Sequence, residues 1–452
     1  MKSTTGLPDR SLTELAELIR VRSVSPLEVV EAHLERINAL NPKLNAIVTL
    51  APDLLGRASE LTQSRPIGPL HGVPVTIKDT IDTAGIRTTS GSKIRASIVP
   101  RCDAPAVARL KAAGAIVLGK TNPAEMAMDY TADNPVFGRT NHHLDETLTP
   151  GGSSGGEAVA IATHMSPGGL GSDLAGSIRI PAHFCGIAGL KPTAGRVPGE
   201  LQLPPSTGPY SLGAAIGPMA RTVADLRSLF RVLSNERRGT SDLSLKGLRV
   251  AWYTDDGVAP VSHETAAAVS HAASILSEAG LLAEEKRPPH IENANSLWLR
   301  VFSRASVVQL RSVYQGRESE GGSFVSWRLR TADDVPAPTL DEYIAAWMER
   351  DRQRAELVEW METTPILLCP VGATPAYKHD TLKVTVGGST MGTFRAFSYS
   401  QAFNVFDLPA VTIPVAKSPE GLPIGIQIVG QPNSEELVMD VAEVLEKGVD
   451  WG

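Results

Sequence analysis

Short apolar runs return along this chain between longer stretches of helical periodicity, and this alternation limits the fold more than any other feature. Residues 73–77, 115–118, 248–253, 366–368, 410–415 and 424–429 read as strands. Between them, helices are expected at 103–113, 154–164, 264–279 and about 434–446, and long amphipathic ones near 293–314 and 340–361. Strands that alternate with helices point to an α/β layered fold. Nearer the N-terminus, Ser11-Leu12-Thr13-Glu14 and Ser25-Pro26-Leu27-Glu28 each carry the serine and glutamate of a capping box, the second with proline at the first helical position. Val29, Val30, His33 and Ile37 mark one face of the second helix, so His33 is expected to be a packed or surface residue rather than a ligand.

Composition narrows the function classes. The 452 residues are 42% apolar and 20% charged, as in an ordinary globular protein. Lys and Arg number 43 against 49 Asp and Glu, and a net charge of −6 argues against a nucleic-acid partner. The three cysteines, Cys102, Cys185 and Cys369, are too few and too scattered for a disulfide framework or a zinc site. No apolar run approaches the roughly 18 residues that cross a membrane, and residues 1–12 lack the apolar centre of a signal peptide. A cytoplasmic protein without a membrane partner is expected. There is no internal repeat or low-complexity segment, so the whole chain, 1–452, is read as one domain. The best linker candidate, 235–245, would join two halves of it. The polar, proline-containing stretch 317–338 is expected to be a surface loop, with a mobile element near the site entrance as the alternative.

One motif misleads. Gly114-Ala115-Ile116-Val117-Leu118-Gly119-Lys120-Thr121 matches the phosphate-binding pattern G-x-x-x-x-G-K-[ST]. In that motif the residues between the glycines wrap a phosphate after the strand has ended, whereas here they read as the strand itself. Pro123 also disfavours helical geometry just where the motif needs a helix to begin. Nucleotide binding through Lys120 is therefore the weakest alternative.

Three other segments carry more chemistry. Ser153 lies in Thr149-Pro150-Gly151-Gly152-Ser153-Ser154-Gly155-Gly156, and Ser177 lies 24 residues later in Gly171-Ser172-Asp173-Leu174-Ala175-Gly176-Ser177-Ile178-Arg179. Lys78 follows the apolar run 73–77 and is followed by Asp79. A glycine-serine run can be a flexible linker, but a glycine-rich turn that opens a helix is equally an anion or oxyanion site. A lysine at the end of a buried strand can lose its proton and act as a base. Hydroxyl nucleophile, base and oxyanion donors are the parts that nucleophilic catalysis requires. His142 and His143 sit in a polar loop and are not read as catalytic; His71 and His183 are expected to be structural.

Taken together, these segments closely resemble the amidase signature family. So do Ile180-Pro181, Cys185-Gly186-Ile187-Ala188-Gly189-Leu190-Lys191-Pro192-Thr193, and the late Leu408-Pro409-Ala410-Val411-Thr412-Ile413-Pro414 with Gly421-Leu422-Pro423-Ile424-Gly425-Ile426-Gln427. The resemblance spans about residues 10–447. It implies a large mixed, twisted β-sheet with helices on both faces: N-terminal helices at 10–40, a catalytic core at about 65–230, and a C-terminal half with a helical cap at about 290–362. It implies a Ser–cis-Ser–Lys triad, with Ser177 as nucleophile, Ser153 as proton relay in a cis peptide with Gly152, and neutral Lys78 as base. Backbone N–H groups of Leu174, Ala175, Gly176 and Ser177 would form the oxyanion hole. Ser154 and Asp173 would support the lysine or the turn, and Ala127, Met128 and Tyr130 would line the acyl pocket. The family usually has glycine where Ala175 stands. The implied activity is hydrolysis of C–N bonds in small amides without metal or organic cofactor, extending to carbamates, ureas or esters, by a monomer or homodimer. The alternative within the family is the glutaminase subunit of a tRNA-dependent amidotransferase.

Overall fold

The computed structural model describes residues 6–235, 245–334, 336–449 and 451. The linker candidate 235–245 lies, apart from its two end residues, outside them. Strands β1 (Ile47–Leu50), β2 (Pro74–Lys78) and β3 (Ile116–Thr121) come first, and β4 (Asp133–Asn134) pairs with β5 (Gly138–Arg139) in a separate hairpin. Next come β6 (Gly168–Asp173), β7 (Ala188–Lys191), β8 (Ala215–Ala220), β9 (Arg249–Trp252), β10 (Leu282–Glu285) and β11 (Ile366–Pro370). A second hairpin, β12 (Lys383–Val386) with β13 (Ser389–Gly392), precedes β14 (Ala410–Lys417) and β15 (Pro423–Gly430). Eleven of these strands form one sheet in the order β1-β3-β2-β6-β8-β7-β14-β15-β11-β9-β10. It is mixed: β2 runs parallel to β3 and β6, and β9 to β10 and β11, while the other pairs are antiparallel.

Side-chain alternation divides the core into two layers. Ile116 and Leu118 of β3, and Leu367 and Cys369 of β11, enter one apolar cluster. Val117, Ile366 and Leu368 enter the other. Successive strand residues point to opposite faces, so the two clusters lie on the two sides of the sheet.

Helices cover both. Those of the first half are α1 (Leu12–Arg20), α2 (Pro26–Leu44), α3 (Leu54–Gln63), α4 (Pro105–Ala112), α5 (Gly155–Ala162), α6 (Arg179–Cys185) and α7 (Val223–Ser234). Both expected capping boxes form, Ser11 with Glu14 and Ser25 with Glu28. Helices α5 and α6 fill the first face. Helices α4 and α7, with α8 (His263–Glu278), fill the second.

The C-terminal half refines one expectation and corrects another. The long helix near 293–314 forms, as α9 (Ala294–Trp298), a π turn at Leu299–Ser303 and α10 (Arg304–Tyr314) in direct succession. The extra residue per turn rotates the apolar face between the two helices. The stretch 317–338 is not a plain loop, since it contains α11 (Ser323–Arg330). Its Val325 is buried with Met126, Leu310 and Tyr314, a long-range contact that local polarity concealed. Then follow α12 (Leu340–Trp360), α13 (Thr393–Ala396), α14 (Ser398–Val405) and α15 (Glu435–Gly448), with α14 on the first face and α15 on the second. Among the described residues no helix is long and apolar enough to cross a membrane.

Strands β6 to β8 had no clear mark in the sequence. β6 is Gly-Gly-Leu-Gly-Ser-Asp, poor in strand formers, yet wholly buried between β2 and β8. A side chain at Gly171 would come within 2.9 Å of Ser154 Oγ, so a helix start can approach this strand only because glycine is there. Phe230 of α7 is fully buried in the second layer. Phe230→Ala is expected to lower stability by about 3–5 kcal/mol, measured by urea unfolding, with site chemistry on the opposite face unaffected.

Candidate active site

Val75 and Ile77 of β2 pack into the second layer, so Thr76 and Lys78 face the other side, toward α5. Lys78 is the last residue of the strand and is fully buried. Its Nζ donates to Ser153 Oγ at 2.6 Å and to Ser172 Oγ at 3.0 Å, and lies 3.4 Å from the Ser172 carbonyl oxygen. Burial pushes the ammonium down to about 7, against the pull of the nearby Asp173 and Glu157 carboxylates. Glu157, on the first turn of α5, accepts from Thr76 Oγ1 at 2.5 Å and from Thr121 Oγ1 at 2.7 Å. It therefore ties β2 and β3 to the helix that Ser153 and Ser154 precede.

The Gly152–Ser153 peptide is cis. Ser154 N–H donates to the Ser177 carbonyl at 3.2 Å, which joins the two serine segments directly. Lys78 and Ser153 have no exposed surface, whereas Ser177 keeps 7%, so of the three it is the one a small molecule can reach. The structure thus brings Lys78, Ser153 and Ser177 to one place. Ser172, which sequence reasoning passed over, is the second hydroxyl on the lysine. Ser154 does not touch Nζ; its Oγ lies 3.4 Å from both the N and the O of Ser172.

Asp173 acts on the lysine only through its charge; its hydrogen bonds organise the turn. Its carboxylate accepts from Arg179 Nε at 3.0 Å and Nη2 at 2.9 Å, with both side chains wholly buried. It accepts further from Gly176 N–H at 2.9 Å, Ile178 N–H at 3.1 Å and Asn404 Nδ2 at 2.9 Å. Burial alone would raise this carboxyl, but the Arg179 guanidinium and these hydrogen bonds hold it well below the usual carboxylate range. The Gly176 N–H, expected in the oxyanion hole, is thus directed at Asp173. The N–H groups of Leu174, Ala175 and Ser177 donate to no protein acceptor among the described residues. Ala175 keeps a negative φ while Gly176 takes the left-handed value of 108°, so the alanine methyl costs the turn nothing. Arg179 and Asn404 are structural residues of this site that the sequence reading did not single out. Arg179 stood in the quoted motif without a role, and Asn404, on α14, had no local signal.

The three residues expected to line the pocket have different surroundings. Ala127 is half-buried, with φ of 55°. Met128 is half-buried against the cluster of Met126, Leu310, Tyr314 and Val325. Tyr130 is buried, its ring stacked on Phe394 at 5.6 Å and edge-on to Phe397 at 5.6 Å. Half-buried Trp298 lies 4.6 Å from Phe394.

The phosphate-loop pattern dissolves. Lys120 and Thr121 lie inside β3, and Lys120 is fully buried. Its Nζ donates to the Ile81 carbonyl, to Thr83 Oγ1 at 3.0 Å and to Thr88 Oγ1 at 3.2 Å. The histidines are in structural contacts. His33 Nδ1 meets the Val29 carbonyl at 2.8 Å, His71 Nε2 the Leu61 carbonyl at 3.1 Å, and His183 Nε2 the Thr374 carbonyl at 3.1 Å. His142, His143 and Cys185 have ligand atoms within 4.8 Å of one another. Yet His142 already accepts from Leu144 N–H at 3.2 Å and meets the Phe184 carbonyl at 2.9 Å, so both its nitrogens are engaged.

A family described as Amidase matches residues 28–439. The chain belongs to the amidase signature family. It is 34% identical over 461 residues to an indoleacetamide hydrolase from Bradyrhizobium diazoefficiens, covering 96% of this chain and 86% of that protein. It is 31% identical over 488 residues to one of the subunits of the glutamyl-tRNA(Gln) amidotransferase of a Sulfurihydrogenibium species, covering 96% of each. Among solved structures, a 6-aminohexanoate cyclic dimer hydrolase complexed with substrate superposes with a TM-score of 0.86 at 29% identity, covering 98% of both chains. The chain is therefore an amidase-signature hydrolase acting on C–N bonds.

Removing Arg179 would strand a buried carboxylate. Arg179→Met is expected to destabilise the protein by about 3–5 kcal/mol, read by urea unfolding, more than a surface arginine such as Arg57→Met.

Proposed function

We propose that this protein hydrolyses small amides through an acyl-enzyme on Ser177, with Ser153 as proton relay and Lys78 as base. The observation that carries this reading is the 2.6 Å contact between Lys78 Nζ and Ser153 Oγ, in a segment hydrogen-bonded to Ser177. Neutral Lys78 offers a lone pair to the Ser153 hydroxyl. Ser177 Oγ attacks the substrate carbonyl as its proton passes to Ser153 and the Ser153 proton passes to Lys78. The tetrahedral oxyanion takes hydrogen bonds from the N–H groups of Leu174, Ala175 and Ser177. Collapse breaks the C–N bond, and the proton returns through Ser153 to the leaving amine. Water then attacks the acyl-enzyme by the same relay and frees the acid and Ser177. The steps draw on serine, lysine and backbone N–H groups. A carbamate, urea or ester carbonyl presents the same target.

We place arylacyl amides first among substrates. Tyr130, Phe394 and Trp298 form an aromatic surface suited to an apolar acyl group, and a relative of similar length is an indoleacetamide hydrolase. The second reading, a glutaminase subunit working in a complex, is favoured by the names of several relatives. A free glutamine would bring an ammonium and a carboxylate to that aromatic surface, which offers neither a counter-charge. We read the chain as one domain with a helical cap at 290–362, acting in the cytoplasm as a monomer or homodimer.

Turnover of phenylacetamide, a phenyl carbamate, a urea and glutamine by the purified chain separates these readings. Phenylacetamide is expected to be fastest; turnover of glutamine alone, rising when a partner protein co-purifies, would overturn the first. Ser177→Ala is expected to abolish release of p-nitroaniline from an arylacetyl p-nitroanilide, and Lys78→Ala to lower it by about a hundredfold or more. Because protonated Lys78 accepts no proton, kcat/KM is expected to rise as pH passes about 7 and to level off above it. A profile that falls across that window counts against lysine as base.

A further inference from the structure

Every carbonyl of the turn from Asp173 to Gly176 is held from outside. Asp173 O accepts from Asn404 Nδ2 at 3.3 Å, Leu174 O from Trp298 Nε1 at 3.0 Å, Ala175 O from the Tyr130 hydroxyl at 2.7 Å, and Gly176 O from Ile180 N–H at 2.7 Å. In a trans peptide the carbonyl and the N–H point in opposite directions. Drawing each carbonyl one way therefore sends the next residue's N–H the other way. The carbonyls of Asp173, Leu174 and Gly176 fix the N–H groups of Leu174, Ala175 and Ser177. Tyr130, with Asp173 on the Gly176 N–H, fixes the peptide between them at both ends.

Two of these holds come from aromatic side chains remote in sequence. Trp298 is the last residue of α9, at its junction with the π turn. Such turns frequently mark functional sites because they re-aim a side chain. The Tyr130 hydroxyl also accepts from Gln401 Nε2 at 3.2 Å, and Gln401 Oε1 accepts from Asn295 Nδ2 at 2.6 Å. Helix α9 thus reaches the turn by two routes, directly through Trp298 and indirectly from Asn295 through Gln401 and Tyr130.

We propose that Trp298 and Tyr130 are positioning residues of this turn: Trp298 aims the Ala175 N–H at the oxyanion, and Tyr130 locks the next peptide, whose Gly176 N–H stays on Asp173, so that the Ala175 and Ser177 N–H groups on either side keep their places, making α9 part of the catalytic geometry. This inference rests on the reading of Ser177 as nucleophile. Neither side chain acts on the reacting atoms; each acts through a backbone carbonyl. A loosened turn still lets the planar amide bind but stabilises its tetrahedral form less. The effect belongs in kcat rather than KM.

Tyr130→Phe and Trp298→Phe test this, since each keeps an aromatic ring and removes the donor to the turn; Trp298→Phe also trims the indole, and Tyr130→Phe also removes the acceptor of Gln401. For both, kcat on phenylacetamide is expected to fall about ten- to a hundredfold, with a smaller change in KM that reports the aromatic surface. Affinity for phenylboronic acid, which forms a tetrahedral adduct with a serine, should fall in parallel with kcat and by clearly more than affinity for phenylacetate, which reads the change at the aromatic surface alone. Thermal melting checks that the fold survives; if buried Tyr130→Phe does not fold, half-buried Trp298→Phe decides alone. Unchanged kcat, or equal losses for boronate and phenylacetate, overturns the proposal. Ser177→Ala is run beside them. If it keeps turnover, the acyl-enzyme reading fails and this inference with it; if it loses turnover while both phenylalanine variants keep theirs, only the positioning role fails.

Discussion

The buried ion pair of Asp173 and Arg179 is the interaction on which the site depends. Two charges with no exposed surface persist only if their hydrogen bonds are complete. Here Arg179 spans Asp173, Gln427 and Asn404, while Asp173 also collects the N–H groups of Gly176 and Ile178. One contact set therefore joins the end of β6, the start of α6, strand β15 and helix α14. The turn that carries Ser177 is closed by a carboxylate at its centre rather than by its own sequence. With Asp173 fixed, the carbonyls of the turn can be reached by side chains around it, and the N–H groups of Leu174, Ala175 and Ser177 are left without a protein acceptor among the described residues.

Two buried lysines show how much the surroundings of a charge decide. Burial lowers Lys78 to about 7 and Lys120 to about 8. Lys120 is surrounded by a carbonyl and two threonine hydroxyls, with Asp79 and Asp82 nearby, an environment suited to a held ammonium. Lys78 faces two serine hydroxyls instead, groups that can both give and accept a proton. Glu157 lies near both. The same residue type, at the ends of neighbouring parallel strands, thus serves the fold in one case and is proposed to serve the chemistry in the other.

Much of this was readable in one dimension. The apolar runs marked six of the eleven strands in the large sheet, because a strand packed on both sides needs them, and the serine-glutamate pairs marked the starts of α1 and α2. Strand β6 was not readable, since its glycines serve the close approach of Ser154 rather than strand propensity. The π turn between α9 and α10 was hidden because helical periodicity does not register one widened turn. Helix α11 was hidden because Val325 finds its partners in Met126 and Tyr314, far away in the chain. In the site, Lys78, Ser153 and Ser177 stood in motifs, whereas Trp298, Gln401 and Asn404 stood in none.

By itself, then, the sequence determined the family, the α/β architecture and the candidate residues Lys78, Ser153 and Ser177, because motifs, their spacing and strand alternation carry that information. The tertiary structure alone decided what surrounds them. Ser172 is the second partner of the lysine; Gly176 N–H turns to Asp173; Tyr130 holds a backbone carbonyl. These depend on which distant atoms lie within about 3 Å of one another, the hydrogen-bonding range, and only the folded sheet with its covering helices brings them there.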